Sequence, residues 1–277
     1  MSEAAAAEEI VCQFVRDIRK KDRGIGGKKL WYMLCKEPNI SFSIGRDRFY
    51  DILAANDLKI RRKHRRPKTT DSTHELRVYP NLVKSRIADG PNQIWVSDIT
   101  YITLYDRSDP DKYKFCYLSL ILDSYSEEIV GWSIGPSLDR TYPLDALNMA
   151  LDRIGEGHVG LIHHSDRGVQ YASYDYVRLL QKRNIMVSMT ETGNPKDNPQ
   201  AERINNTIKN ELLKGCVFND IEEVRDALTT AIAFYNNERP HMSIGMLTPV
   251  QAATRTGKLD KKWHSYRDAA IENLVSL

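Results

Sequence analysis

The sequence is short of the features that mark several large classes of protein. Its four cysteines, Cys12, Cys35, Cys116 and Cys216, are scattered and form no CxxC pair. This argues against a cysteine zinc site or a disulfide framework and fits a reducing compartment. No apolar run approaches the ~18 residues that a membrane-spanning helix needs, so integral membrane function is excluded. The opening Met1-Ser2-Glu3-Ala4 has neither the basic n-region nor the apolar h-region of a secretory leader, and a cytoplasmic location is expected. There is no internal repeat and no low-complexity tract. Net charge is also nearly absent, with 40 Lys+Arg against 37 Asp+Glu in 277 residues, a formal +3. What remains is ordinary globular composition, 41% hydrophobic and 28% charged, with length for one large domain or two smaller ones.

The near-neutral total hides a segregation of charge. Residues 16–68 carry 17 Lys/Arg and six acids, a local +11, whereas residues 1–15 sum to −3 and residues 69–277 to −5. The densest stretch, Lys59-Ile60-Arg61-Arg62-Lys63-His64-Arg65-Arg66-Pro67-Lys68, has seven cations in ten residues. Such a block repels itself and stays extended. It meets phosphate backbones, where neutralised phosphates release counterions, or it is a solvated linker. Arg61, Arg62, Lys63, Arg65 and Arg66 are the candidate DNA contacts here.

Periodicity predicts helices over 8–20 and 26–36, the second with Leu30, Met33 and Leu34 at helical spacing. A third is expected behind a cap at Ser41 or Ser43, with Phe49, Ile52 and Leu53 at i, i+3, i+4. These three helices read as a helix-turn-helix-like module over 1–60 or as a plain small bundle. A polar, basic linker is expected over 61–90. From there the pattern changes: strands are predicted at 94–102, 115–122, 129–134, 160–164 and 185–189, with helices at 144–154 and 173–182. Hairpin-linked strands followed by alternating helix and strand predict a mixed α/β sheet over 91–252, with 253–277 as a tail.

Three acids stand out within that core. Asp98 interrupts an apolar strand, where a carboxylate is costly unless it is paired or bound to a cation. Asp166 follows the fourth strand. Glu202 lies in Asn198-Pro199-Gln200-Ala201-Glu202, with Asn198 as a candidate N-cap and Pro199 suited to the first helical position. The 35 residues between Asp166 and Glu202 are not decisive, because Asp175 and Glu211 have the same separation. Context favours the first pair. Asp175 falls in a first helical turn and complements the dipole, and Glu211 can pair with Lys214 or with cations near Arg203. Brought together, Asp98, Asp166 and Glu202 would repel unless cations neutralise them, and oxygen ligands suit Mg²⁺ or Mn²⁺. Otherwise they are three unrelated surface or salt-bridged carboxylates.

On the Glu202 helix, Ala201, Ile204, Ile208 and Leu212 form an apolar face. Glu202, Asn205, Asn206 and Lys209 form the opposite one, a carboxylate for metal beside amides and a lysine for phosphate. His163 and His164 read as strand-end packing rather than metal ligands, and Asp123 as a turn-former. Asn236, Arg239 and His241 are expected to tie the helix from Ile221 to Tyr235 back to the core.

The chain resembles the OrfB-type transposases of insertion-sequence family three, a DDE group with a retroviral-integrase-like core. The resemblance rests on Trp95-Val96-Ser97-Asp98-Ile99-Thr100-Tyr101, on Leu122-Asp123-Ser124-Tyr125-Ser126 with Ile129-Val130-Gly131-Trp132, and on His164-Ser165-Asp166-Arg167-Gly168-Val169-Gln170-Tyr171. It continues through Asp197-Asn198-Pro199-Gln200-Ala201-Glu202 and Tyr235-Asn236-Asn237-Glu238-Arg239-Pro240-His241 to Leu247-Thr248-Pro249, in family order over roughly 90–252. Glu127 and Glu128 stand where an Arg is usual, and Pro199-Gln200 replace a more typical alanine-containing step; neither change removes an acid. The resemblance implies an RNase H-like five-stranded sheet preceded by the helical module, and Asp98, Asp166 and Glu202 as catalytic, metal-binding triad. It further implies two divalent ions (Mg²⁺ or Mn²⁺) and DNA strand cleavage and transfer at element ends. It also implies a small partner protein from an upstream frame and a homo-oligomer on DNA, in a cytoplasmic, nucleoid-associated setting. A non-catalytic DNA-binding regulator and an RNase H-like nuclease are the alternatives.

Overall fold

The computed structural model describes residues 3–21, 27–59, 74–109, 111–155, 160–191, 198–262, 265, 268–269 and 271. The chain divides into two units, Met1–Arg66 and Pro67–Leu277. Arg61, Arg62, Lys63, Arg65 and Arg66 lie outside the described residues.

In the first unit, α1 (Glu3–Lys21), α2 (Gly27–Leu34) and α3 (Arg46–Ala55) enclose Val11, Val15, Leu30, Leu34, Phe49, Ile52 and Leu53. The expected serine cap is not used. The residue before α3 is Gly45, the backbone there is still extended at φ −66° and ψ 150°, and no side chain caps the helix. Ser41 and Ser43 therefore stand too far upstream to reach its first amides.

The second unit is built on a five-stranded sheet: β1 (Ile94–Tyr105), β2 (Tyr113–Asp123), β3 (Ile129–Gly135), β4 (Ile162–Ser165) and β5 (Met186–Met189), in the order β3-β2-β1-β4-β5. The first three pair antiparallel, while β4 joins β1, and β5 joins β4, in parallel. The parallel step needs a long crossover, which β2, β3 and α4 (Thr141–Ile154) supply. After β4 come α5 (Val169–Ala172) and α6 (Tyr174–Lys182), and after β5 come α7 (Pro199–Thr207), a π-helical turn at Ile208–Leu212, α8 (Ile221–Asn237) and α9 (Pro249–Ala252).

Two apolar layers follow from the alternation of β1. Ile94, Val96, Ile102 and Leu104 face Ala201, Ile204, Ile208, Val224 and Leu228 of the α7 and α8 side. Trp95 and Ile99 face Leu147, Leu151, Tyr176 and Leu180 of the α4 and α6 side. The α4 layer lies so close that a Cβ on Gly131 would sit 2.1 Å from the Ala146 carbonyl oxygen, which is why β3 has a glycine there.

Residues 74–90 have no helix or strand, yet they pack on the sheet unit. Val83 is buried in the α7/α8 layer, Leu82 N–H donates to Ser188 Oγ at 2.9 Å, and Met189 N–H to Pro80 O at 3.4 Å. Beyond α9, Gly257 N–H donates to Asp89 O at 2.6 Å, and Gly257 O accepts from Tyr125 Oη at 2.9 Å. The expected linker and tail thus each contribute to the packed unit. Among the described residues, no helix is long and apolar enough to cross a membrane.

Candidate active site

β1 and β4 pair with a constant offset: Ile94 with Ile162, Trp95 with His163 and Val96 with His164. Extending that register by two residues brings Asp166 level with Asp98 on the neighbouring strand. Side-chain alternation turns Asp98 to the same face as Val96, beneath α7. Asp166 is held in place locally: Gly168 N–H donates to its Oδ1 at 2.9 Å, and a Cβ on Gly168 would lie 2.9 Å from the same oxygen. Glycine at 168 lets the backbone approach the carboxylate this closely.

Electrostatics show that the acids share one patch. Burial is the main force raising the Asp98 carboxyl from 3.8 to about 7; the charges of Asp166 and Glu202 add to it, and hydrogen bonds from the Ile99 backbone and the Asn205 side chain oppose it. The Tyr171 phenol is raised well above its usual value by burial first, then by Tyr176, Asp98 and Asp166. Glu202 is exposed on α7, lining a groove of about 600 Å³ with Pro199, Arg203, Asn206, Thr207, Asn210 and Glu211. As placed, no three His, Cys, Asp or Glu side chains among the described residues stand close enough together to enclose an ion. Asp98 and Asp166 form the inner pair, with Glu202 further out.

The α7 face differs from its expected form. Asn205 is buried, and its Nδ2 donates to Asp98 Oδ2 at 2.7 Å. Lys209 Nζ donates to Thr100 Oγ1 at 3.3 Å and stands 3.8 Å from the Tyr101 ring centroid. Only Asn206 of these three is exposed. Asn205 follows Ala201 by four and so falls within the buried stripe of the helix; its polar side chain disguises that in the sequence. Asn198 occupies the N-cap position without capping; its side-chain N–H donates instead to Ser97 O at 3.0 Å.

The remaining candidates are structural. The Asp123 carboxylate is buried and accepts from Asn92 N–H, Tyr125 N–H, Ser126 N–H and Ser126 Oγ at 2.7–3.2 Å. His163 meets Tyr176 Oη at 2.9 Å, with burial pushing its imidazole down to about 3, and His164 Nδ1 meets Ser188 Oγ at 2.9 Å. Asp175 pairs with Arg140 at 3.2 Å. Glu211 takes a two-pronged contact from Arg239 at 2.8 and 3.0 Å, where Lys214 had been a candidate partner. Asn236 donates to Ile129 O at 2.9 Å and accepts from Ile129 N–H at 3.0 Å, tying α8 to β3.

Comparison with known proteins agrees with this architecture. The Integrase core domain family matches residues 88–195 and again 183–249. The insertion element IS600 31 kDa protein of Shigella sonnei is 36% identical over 208 residues, covering 74% of each chain. The transposase for insertion sequence element IS629 of Shigella sonnei is 30% identical over 227 residues, covering 82% of this chain and 73% of the other. Among solved structures, a chain of the simian T-cell lymphotropic virus intasome in complex with PP2A regulatory subunit B56 gamma superposes with a TM-score of 0.50 at 16% identity, over 87% of this chain and 74% of that one. The second unit thus has the RNase H-like integrase fold, and the chain belongs to the insertion-sequence family-three transposases, DDE polynucleotidyl transferases built on an integrase core.

Proposed function

We propose that this transposase cuts DNA at the ends of its element and joins the freed 3′-hydroxyl to a second strand, with Asp98, Asp166 and Glu202 as its catalytic carboxylates. The observation that carries this reading is the convergence of three acids, from β1, from the end of β4 and from α7, on one patch, where burial first, and then the charges of Asp166 and Glu202, raise the Asp98 carboxyl to about 7. An all-oxygen set that disfavours its own charge suits a hard divalent cation, Mg²⁺ or Mn²⁺. We assign two such ions, with Asp98 and Asp166 binding them and Glu202 completing the second. Bound there, they would supply Lewis acidity at the scissile phosphate and lower the pKa of the attacking hydroxyl.

The chain's own side chains do the positioning. Asn205 holds one oxygen of Asp98, and the Gly168 amide holds one oxygen of Asp166. Asn206 lines the groove along which a DNA backbone would run, and Lys209, Arg61, Arg62, Lys63, Arg65 and Arg66 contribute phosphate contacts. Water attacks first and a DNA 3′-oxygen second, so no protein nucleophile is required. We further propose a homo-oligomer pairing two DNA ends, a small upstream-frame partner and action in the cytoplasm on nucleoid DNA.

The test is cleavage and joining of candidate terminal repeats with Mg²⁺, comparing the chain with Glu202→Gln. Loss of an outer-sphere partner alone costs about 10–100-fold in metal sites, so loss of a ligand should cost at least about 100-fold. Equal activity in the two proteins would sink the assignment.

A further inference from the structure

The turn joining β2 to β3 carries two adjacent buried glutamates, each 6% exposed. They serve opposite layers. Glu128 pairs with Arg153 of α4. Glu127 reaches α7, where its Oε1 accepts from Gln200 Nε2 at 3.4 Å and lies 4.0 Å from Arg203 Nη1. Gln200 is itself locked, accepting from Ser124 Oγ at 2.6 Å and donating to Ser124 O at 3.0 Å. Ser243 and Lys261 also interact with the Glu127 carboxyl. The backbone at Glu127 is left-handed, φ 58°, a conformation that a residue with a side chain keeps only when its surroundings impose it.

Gln200 and Arg203 bracket Glu202. At roughly 100° per residue, positions i and i+3 share one side of a helix, and the residue between them points elsewhere. Anchoring 200 and 203 to one carboxylate on the sheet therefore fixes the rotation of the first turn of α7, and with it the direction of Glu202. Burial still outweighs the offset from Arg203, at 4.0 Å with its side chain 49% exposed, and from Gln200, Lys261 and Ser243, so the Glu127 carboxyl is pushed up. The contact is thus poorly suited to a purely stabilising role.

We propose that Glu127 is a positioning residue that pins the first turn of α7 so that Glu202 keeps its place on the patch it shares with Asp98 and Asp166. This rests on the reading of Glu202 as a metal-binding carboxylate. The test compares the full chain with Glu127→Gln, Glu127→Ala and Glu202→Gln. It measures melting temperature in EDTA, the Mn²⁺ concentration giving half of the Mn²⁺-induced rise in melting temperature, and cleavage of terminal-repeat DNA across a Mn²⁺ series.

The expected result is that Glu127→Gln melts close to wild type in EDTA, needs about 10–100-fold more Mn²⁺ for the half-rise, and recovers cleavage in excess Mn²⁺. Three outcomes overturn the proposal: a wild-type Mn²⁺ midpoint in both Glu127 variants, lowered cleavage with an unchanged midpoint, or a Glu127→Gln protein that melts far below wild type in EDTA. Should Glu127→Ala fail to fold, the isosteric Gln variant decides. Wild-type behaviour of Glu202→Gln would sink the ligand reading and this inference with it. An inactive Glu202→Gln beside wild-type Glu127 variants would sink this inference alone.

Discussion

Asp98 takes up a proton at higher pH in the folded chain than in the unfolded one, because burial, Asp166 and Glu202 all penalise its charge. The stability it contributes is therefore complete below its ordinary 3.8 and is lost as pH rises through about 7. We expect the metal-free protein to lose on the order of 2–4 kcal/mol from this one group across that window, and Asp98→Asn to abolish that component. Denaturant melts at pH 5 and pH 8 in EDTA check this; a difference between the two pH values that is unchanged in the variant would refute it. Buried Asp123 and Glu127 shift in the same direction and remain in both proteins, so the comparison isolates Asp98. Asp98 was legible because an acid in an apolar strand is conspicuous. Asn205 was not, because its partner lies 107 residues away and an amide on a polar-looking helix suggests a solvent-facing role.

The helices and strands were largely legible, since β-branched runs and 3.6-residue periodicity depend on the residues themselves. Their terminations were less legible: α3 begins behind Gly45 with no side-chain cap, Asn198 turns its amide to Ser97 on β1, and a π-turn follows α7. The departure of Glu127 and of Gln200 from the family pattern was visible as two separate oddities, and the structure joins them in one hydrogen bond. The α8–β3 tie gives a test at this scale. Asn236→Ala leaves the Ile129 N–H and C=O without that partner, at about 1–3 kcal/mol for each buried group. We expect a clear fall in the denaturant midpoint with an unchanged Mn²⁺ midpoint; loss of stability below about 1 kcal/mol would contradict the tie.

Across the whole molecule, opposite charges are segregated along the chain, +11 over 16–68 and −5 over 69–277. That division could be read directly from the residues, whereas the placement of the densest cations could not. We expect replacement of Arg61, Arg62, Lys63, Arg65 and Arg66 by Ala to weaken binding to arbitrary duplex DNA. The slope of log affinity against log salt should fall by as much as roughly 4–5, at about 0.9 per lost phosphate contact. Fluorescence anisotropy over a salt series reads this, and an unchanged slope would show that the stretch touches no phosphate. The Mn²⁺-induced melting shift should stay the same in that variant.

The parallel pairing of β1 with β4 has a consequence for how such a chain tolerates change. The two inner acids are level because of a match across the sheet, so the connecting loops can lengthen without moving either one. A single residue gained between Ile94 and Asp98 instead swings Asp98 to the opposite face. An insertion scan read by cleavage should therefore find permissive connections, such as 136–140, separated by short forbidden windows at the strands. Indels in this transposase are filtered by parity within a strand far more than by length between strands.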